Sequence, residues 1–367
     1  MENEKLNNIN NLFQIKSSSK NKKFIFLNFL IIKNINCIII LFLLIYICYL
    51  KLILKKTLKK NRKDINKKIK EINFIKKMFQ LYVENKKEYF INGRKRVMEL
   101  RGKTYNDSNP ITIQDKLNWL IIHESPENKT DIVDKILLHQ YSKKILGKDI
   151  CVPILKIYSN SHEINLDELP DKFVLKCNHG SKFNILCNNK SNFNITEAKI
   201  KLNKWMKINY GLANYEYQYI NVKRKIFAEK YLQNNIINYK FNCYNGNPIF
   251  IRVTKDLPDK SAKINNYYNL NWELNDLETN ADKYIRNPEI KFEKPKNLKL
   301  MLEISKKFAA DFSFVRVDFY EIEDQIYLSE LTFTPFNVLM NYKDKNQSIY
   351  LGSLLNITKI KKIKNLN

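Results

Sequence analysis

The sequence predicts a mixed α+β fold whose sheets are built from antiparallel hairpins, and three observations carry that reading. Between Phe312 and Pro335 apolar residues alternate at the period of two that strands impose, on both sides of a turn-like "EIEDQI". Segments such as "ITEAKIKLNKWMKIN" and "NLKLMLEISKKFAADF" carry helical spacing instead. Strand-like and helix-like segments follow one another without the regular alternation that a parallel sheet needs. With 367 residues, 44% of them hydrophobic, the chain holds enough apolar material for one large domain or two joined ones.

The N-terminal part is read from composition. Residues 1–23 are rich in Asn, Lys and Ser without a periodic apolar face, the signature of a disordered tail. A hydrophobic segment covers residues 24–54, and "INCIIILFLLIYICYLKLIL" at about 35–54 is long enough, at ~1.5 Å per residue, to cross a hydrocarbon core as one transmembrane helix. A cleaved signal peptide fits less well, because Lys51, Lys55, Lys56, Lys59, Lys60, Arg62 and Lys63 follow in place of a small-residue cleavage site. That flank predicts a single-pass membrane protein with everything after the span in the cytoplasm. Through residues 55–88, Ile65, Ile69, Ile72, Ile75, Phe79 and Tyr82 recur at helical spacing among lysines, as in a basic amphipathic stalk; a mobile linker is the alternative. The chain has 64 Lys+Arg against 37 Asp+Glu, a net charge of +27, and Lys51 to Thr104 alone holds 19 basic against 5 acidic residues. A basic run beside a span points to a membrane surface rather than to nucleic acid.

Farther along, Thr112 stands as a helix cap before "IQDKLNWLII", and "DIVDKILLHQYSKKILG" reads as one helix stopped by Gly147. Strands are expected in "CVPILKIYS", "LPDKFVLKCN", "ILCNN", "RKIFAEKYL" and "INYKFNCYNGNPIFIRV". The six cysteines include no CxxC pair, so neither a disulfide framework nor a zinc ribbon is indicated, and His139 reads as a packed or surface residue.

Two features carry chemistry. In the hairpin, Phe314, Arg316, Asp318 and Tyr320 share one face, and Leu328, Glu330 and Thr332 share a face of the return strand. If the loop is centred on Asp324, Asp318 lies opposite Glu330, with side-chain roots ~5 Å apart. Opposed carboxylates ask for a cation, and Mg²⁺ on nucleotide phosphates suits them; a register slip of one residue would instead send them to opposite faces. The second feature is Lys176, which ends an apolar strand just before "NHGS", so that it and the backbone amides of Gly180 and Ser181 suit a phosphate, although a solvated strand-end lysine is the commoner case.

Together, "PDKFVLKCNHGS", "IFAEKYL…YKFNCYNGNPIFI" and "FVRVDFYEIEDQIYLSELTFTP" resemble the TupA-like ATP-grasp proteins of bacterial capsule and teichuronopeptide gene clusters. The resemblance marks residues 89–355 as an ATP-grasp domain, nucleotide held between two small α+β subdomains, with a basic tail at 356–367. It implies ATP and Mg²⁺ as cofactors, with Lys176 as a phosphate-binding lysine and Glu229, Lys230, Tyr231 and Leu232 as the hinge that receives adenine. Lys240, Arg252 and Arg316 fall where the fold keeps catalytic cations, and Asp318 and Glu330 match the Mg²⁺ carboxylates. The implied function is an ATP-dependent carboxylate–amine ligase of cell-surface polysaccharide biosynthesis working through an acyl phosphate, with an acidic sugar or polysaccharide precursor and an amino acid or other amine as substrates. Alternatives are a glycosyltransferase of a polysaccharide cluster, lowered by the lack of an Asp-x-Asp motif, and a decayed, non-catalytic membrane protein. Two departures keep the last in view. The family's "HGSGG" or "HGSGW" is "HGSKF" here, placing Lys182 and Phe183 in the loop over the phosphates, and "QNN" at Gln233–Asn235 replaces an acidic stretch expected to hold the ribose.

Overall fold

The computed structural model describes residues 86–100, 108–124, 129–257, 261–281 and 283–358, and singly Ile69, Lys70 and Asn73. The expected tail, transmembrane helix and nearly all of the stalk lie outside the described residues, as does the basic tail beyond 358. Among the described residues no helix is long and apolar enough to cross a membrane.

The helices and strands follow in the order α1 (Lys86–Leu100), α2 (Ile113–His123), α3 (Thr130–Val133), α4 (Leu138–Leu146), β1 (Ile154–Tyr158), β2 (Phe173–Cys177) and β3 (Asn184–Cys187). Next come α5 (Ile195–Lys207), α6 (Tyr210–Asn214), β4 (Ile226–Lys230), β5 (Asn238–Tyr244), β6 (Asn247–Asp256), β7 (Lys263–Tyr268), β8 (Leu274–Asn275) and β9 (Tyr284–Ile285). The chain continues with α7 (Leu298–Ala309), β10 (Phe314–Ile322), β11 (Gln325–Thr332) and α8 (Lys345–Leu354). Thr112 caps α2 in a full capping box with Asp115, and α4 ends at Gly147 with φ 74°, both as the sequence suggests.

Two antiparallel sheets result. The smaller has the order β1-β4-β2-β3; the larger runs β11-β10-β5-β6-β7-β8, with β9 pairing parallel to β7. On the large sheet, Val315, Val317, Phe319, Phe241, Ile251 and Val253 face a core completed by Met301 and Phe308 of α7. Behind the small sheet, Phe173, Leu175, Ile226 and Ala228 pack with Ala198 and Leu202 of α5. The small sheet turns its other face, with Lys176 and Glu229, toward a cleft. The other face of the large sheet is divided: Arg316, Lys240 and Arg252 line that cleft, while Tyr244, Phe250, Tyr267 and Phe314 pack on a second core with Ile113, Leu117 and Leu120 of α2 and Leu351 of α8.

The segment read as one helix through Gly147 is two. Asp134 interrupts it: the carboxylate accepts the backbone N–H groups of Ile136 at 2.8 Å and Leu137 at 3.4 Å, and Nδ2 of Asn178 at 2.8 Å. A side chain that takes up backbone donors in this way offers the chain an alternative to continuing the helix. Asp134 is accordingly extended, with ψ 113°, and the chain restarts as α4. Strand β7 is not legible in the sequence, because Asn265 and Asn266 read as loop residues; both are fully buried. Asn266 is satisfied by donating to the carbonyls of Asn287 and Ile290, each at 2.7 Å.

Candidate active site

The β10–β11 hairpin turns through Glu323 and Asp324, both with positive φ (50° and 63°), so that Ile322 faces Gln325. A regular ladder from that turn would set Asp318 against Ser329. Instead the register shifts between Asp318 and Phe319: Phe319 faces Leu328, whereas Asp318 faces Glu330. The extra residue is a β-bulge at Ser329, which restores Glu330 to the cleft face and Leu331 to the core. The expected pairing is present, reached by a two-residue turn and a bulge rather than by a loop centred on Asp324.

From this hairpin a row of side chains crosses the large sheet. Register partners run Glu330, Asp318, Lys240, Arg252, Tyr267 on β11, β10, β5, β6 and β7. Asp318 is fully buried, and its charge is met from both sides: Arg316 donates Nε to Oδ1 at 2.6 Å and Nη2 to Oδ2 at 2.7 Å, and Lys240 Nζ lies 2.7 Å from Oδ2. Arg316 Nη2 also reaches Glu330 Oε1 and Thr332 Oγ1, each at 3.1 Å. The two carboxylates thus tolerate each other because Arg316 is shared between them and Lys240 adds a second cation at Asp318. Burial alone would raise the Asp318 carboxyl, but Arg316 and Lys240 outweigh it and hold it below its usual range. Burial also brings the Lys240 ammonium down to about 8 despite Asp318.

The small sheet faces this row across a cleft of about 940 Å³. Val174, Lys176 and Leu186 line its wall, and Lys176 forms an ion pair with Glu229 on the neighbouring strand. Burial opposes the charge of Lys176, but Glu229 outweighs it and keeps the lysine's pKa above its ordinary value. Lys230, Tyr231 and Leu232 continue along the rim. All the residues assigned to nucleotide, metal or catalysis from the sequence line this one cleft except Gly180 and Asp318, and Gly180 adjoins it in the β2–β3 loop beside Ser181 and Lys182.

That loop is anchored by aromatic packing. Phe183 stacks on Trp205 at 5.3 Å and meets Tyr210 edge-on at 5.7 Å. A Cβ on Gly180 would come within 2.7 Å of the Tyr210 ring, so glycine is required there by the close approach. Lys182 has φ 63°, a left-handed conformation that suits glycine.

A family model described as TupA-like ATPgrasp matches residues 115–356. The chain belongs to the TupA-like ATP-grasp family. No curated protein matches the sequence. Among solved structures, this TupA-like chain is similar to the D-alanine–D-alanine ligase from Helicobacter pylori, at 19% identity and a TM-score of 0.34, over 61% of each chain. It is also similar to a D-alanine–D-alanine ligase from Bacillus anthracis complexed with ATP (14%, TM-score 0.34, 65% of this chain and 71% of that one). A third is the L-amino acid ligase from Bacillus licheniformis (12%, TM-score 0.34, 56% and 43%).

Within this TupA-like site, Glu330 suits a Mg²⁺ ion: it is a hard oxygen donor on the cleft wall, its side chain 32% exposed. Asp318 does not offer the same, since both of its oxygens are taken by Arg316 and Lys240.

Several residues of the TupA-like site are not evident in the sequence. Lys135, placed by the break between α3 and α4, donates to the Gly180 carbonyl at 2.8 Å and ties the loop down. Glu216, buried on the cleft wall, accepts the Thr334 hydroxyl, and burial pushes its carboxyl up to about 7. Arg94 of α1, buried, reaches Asn118 and both the side chain and, at 3.0 Å, the carbonyl of Asn337. It thereby braces the segment Phe336–Val338, whose φ values of 54°, 53° and 55° are unfavourable for residues with side chains. Each acts through burial or a long-range contact, which no local pattern announces. Elsewhere, His139, Asp149 and Cys151 bring donor atoms within 4.8 Å of one another, but Asp149 is occupied by His139 at 2.7 Å and by the Cys151 N–H at 2.9 Å.

Proposed function

We propose that this protein is an ATP-dependent carboxylate–amine ligase. The observation that carries the reading is the convergence on one cleft of Lys176 from the small sheet with Lys240, Arg316 and Glu330 from the large one. Three cations and a carboxylate open to the cleft are what a triphosphate and its metal require, and phosphoryl transfer needs positioning and charge rather than covalent help. Adenine would lie over Val174 and Leu186 at the rim, along Glu229–Leu232, with its phosphates running toward Lys176 and under the loop of Gly180, Ser181 and Lys182.

A substrate carboxylate oxygen attacks the γ-phosphorus, the bond to ADP breaks, and an acyl phosphate forms. An amine nitrogen then attacks the acyl carbon, phosphate leaves and the nitrogen loses a proton, giving an amide. Arg316 stands beside Glu330 to neutralise the acyl phosphate, and Lys240 to hold the γ-phosphate oxygens. Mg²⁺ bound at Glu330 would screen phosphate charge; Lys240 moving from Asp318 to a phosphate oxygen would release Asp318 Oδ2 toward the same place. An acidic sugar of a surface polysaccharide as acceptor and an amino acid as amine fit the resemblance to capsule-type proteins, and a single N-terminal anchor would hold the site at the cytoplasmic membrane face.

The test is ADP release from Mg-ATP with uronic acids and amino acids supplied together. Lys176→Met is expected to lose about two orders of magnitude in rate, as when one preorganised charge leaves a phosphoryl-transfer site. Wild-type protein that neither binds Mg-ATP nor releases ADP with any such pair overturns the ligase reading.

A further inference from the structure

Arg252 is 4% exposed, and among the described residues it has no carboxylate partner. Its Nε donates to Asn265 Oδ1, while its buried Nη2 has no hydrogen-bond partner among the described residues. The guanidinium packs against a pair of rings that meet edge to face, 4.7 Å from the Tyr284 centroid and 4.3 Å from that of Phe336. It borders both the cleft and a smaller pocket of about 60 Å³, where the Thr279 hydroxyl is also buried and without a partner. A buried charge is costly unless paired, and burial lowers the pKa of this group accordingly. A fork held against two aromatic rings with an open donor is therefore built for an anion that arrives with a ligand.

Phosphate is the wrong anion for its position. Arg252 stands two strands from Asp318 in the cross-sheet row. At ~4.8 Å per strand that is about 10 Å along the hydrogen-bonding direction, away from the hairpin that carries Glu330. Lys240 lies between them and meets the phosphate end first. Phe336, which covers the guanidinium, belongs to the left-handed segment braced by Arg94, so the lid on Arg252 is held at some cost in backbone energy.

We infer that Arg252 is a specificity-determining residue that binds a free carboxylate of the substrate, one that takes no part in the amide bond or is bound before activation. The inference rests on the ligase reading for the meaning of that substrate, but its test does not need turnover. The carboxylate comes either from an amino acid or from a sugar acid.

Binding is measured calorimetrically on the full chain in detergent, saturated with Mg²⁺ and a non-hydrolysable ATP analogue. The probes are two acid–amide pairs: glycine with glycinamide, and D-glucuronate with D-glucuronamide. In wild type one acid should bind at least tenfold more tightly than its amide; which pair shows the preference identifies the source. Arg252→Gln should abolish the preference while the ATP analogue's Kd changes less than twofold. Arg252→Lys, which keeps the charge without the fork, should retain part of it and serves if the glutamine variant fails to fold. Equal binding of acid and amide by wild type overturns the inference, as does a preference that survives Arg252→Gln. A parallel loss of ATP-analogue affinity overturns it too, assigning Arg252 to phosphate. Should ADP release fail while acid binding behaves as described, the ligase reading falls and the carboxylate site stands.

Discussion

Arg316 and Asp318, two residues apart on one strand, form a buried fork with bonds of 2.6 and 2.7 Å, and Lys240 closes the other side of the same carboxylate at 2.7 Å. The relationship reverses what the sequence suggests. Opposed acids read alone imply that removing either would relieve repulsion and leave the free fold intact or steadier.

With the fork in place, Asp318→Asn instead strands buried Lys240 and leaves Arg316 with Glu330, at 3.1 Å, as its remaining carboxylate. Loss of one partner from a buried pair costs about 3–5 kcal/mol, and the variant should show that loss in urea denaturation without nucleotide. Glu330→Gln should cost less than ~1 kcal/mol, because its side chain is one-third exposed and Arg316 keeps Asp318. Equal costs for the two would contradict the arrangement.

Lys182→Gly should stabilise the protein. The left-handed backbone at Lys182 costs a residue with a Cβ about 1–2 kcal/mol, of which glycine's extra freedom in the unfolded chain takes back roughly half. Thermal melting should rise correspondingly. Mg-ATP affinity measured on the same variant separates two roles: a fall identifies Lys182 as a phosphate donor, and a gain identifies it as an obstruction.

Stability should depend on pH through Glu216. Its carboxyl titrates near 7 in the folded protein, raised by burial from an ordinary 4.5. Between those values the folded chain holds a proton that the unfolded chain has released, so stability falls as pH rises from about 4.5 to 7 and the penalty persists above. Glu216→Gln should remove a slope on the order of 3 kcal/mol, leaving the variant more stable than wild type at pH 8 and similar at pH 4.5. Buried His179, held down to about 4 by burial, acts oppositely: it must take up a proton on unfolding below about 6.5. The glutamine variant should therefore unfold more readily as pH falls through that range, whereas wild type shows a flatter profile.

The membrane anchor is tested apart from the folded domain. Full-length protein should stay with membranes through a carbonate wash, and a chain starting at Asn85 should be recovered in the soluble fraction. Release of the full-length chain by carbonate would remove the span at about 35–54.

Much of the fold is legible in the sequence because it is local. The Asn245–Gly246 turn joining β5 to β6, the Thr112 cap and the alternation of β10 all follow from short-range rules. The Asp318–Glu330 pairing is legible as well, although counting from Asp324 reaches it by a different path, since neither the turn at Glu323–Asp324 nor the bulge at Ser329 leaves a distinct residue signature. Illegible features depend on distance in the chain. Lys135 meets Gly180 45 positions later, and Arg94 meets Asn337 243 positions later. Glu216 looks like any surface acid until burial sets its proton affinity.

The cross-sheet row of Glu330, Asp318, Lys240 and Arg252 has one further consequence. Each member sits on a different strand, and their spacing is fixed by backbone ladder bonds rather than by the side chains themselves. The row behaves as a comb of constant pitch whose teeth differ in freedom: Asp318 and Lys240 are locked to each other, whereas Arg252, bonded among the described residues only to Asn265, stands apart from that pair. A substitution at the Arg252 end therefore alters what is read there while the phosphate end keeps its chemistry.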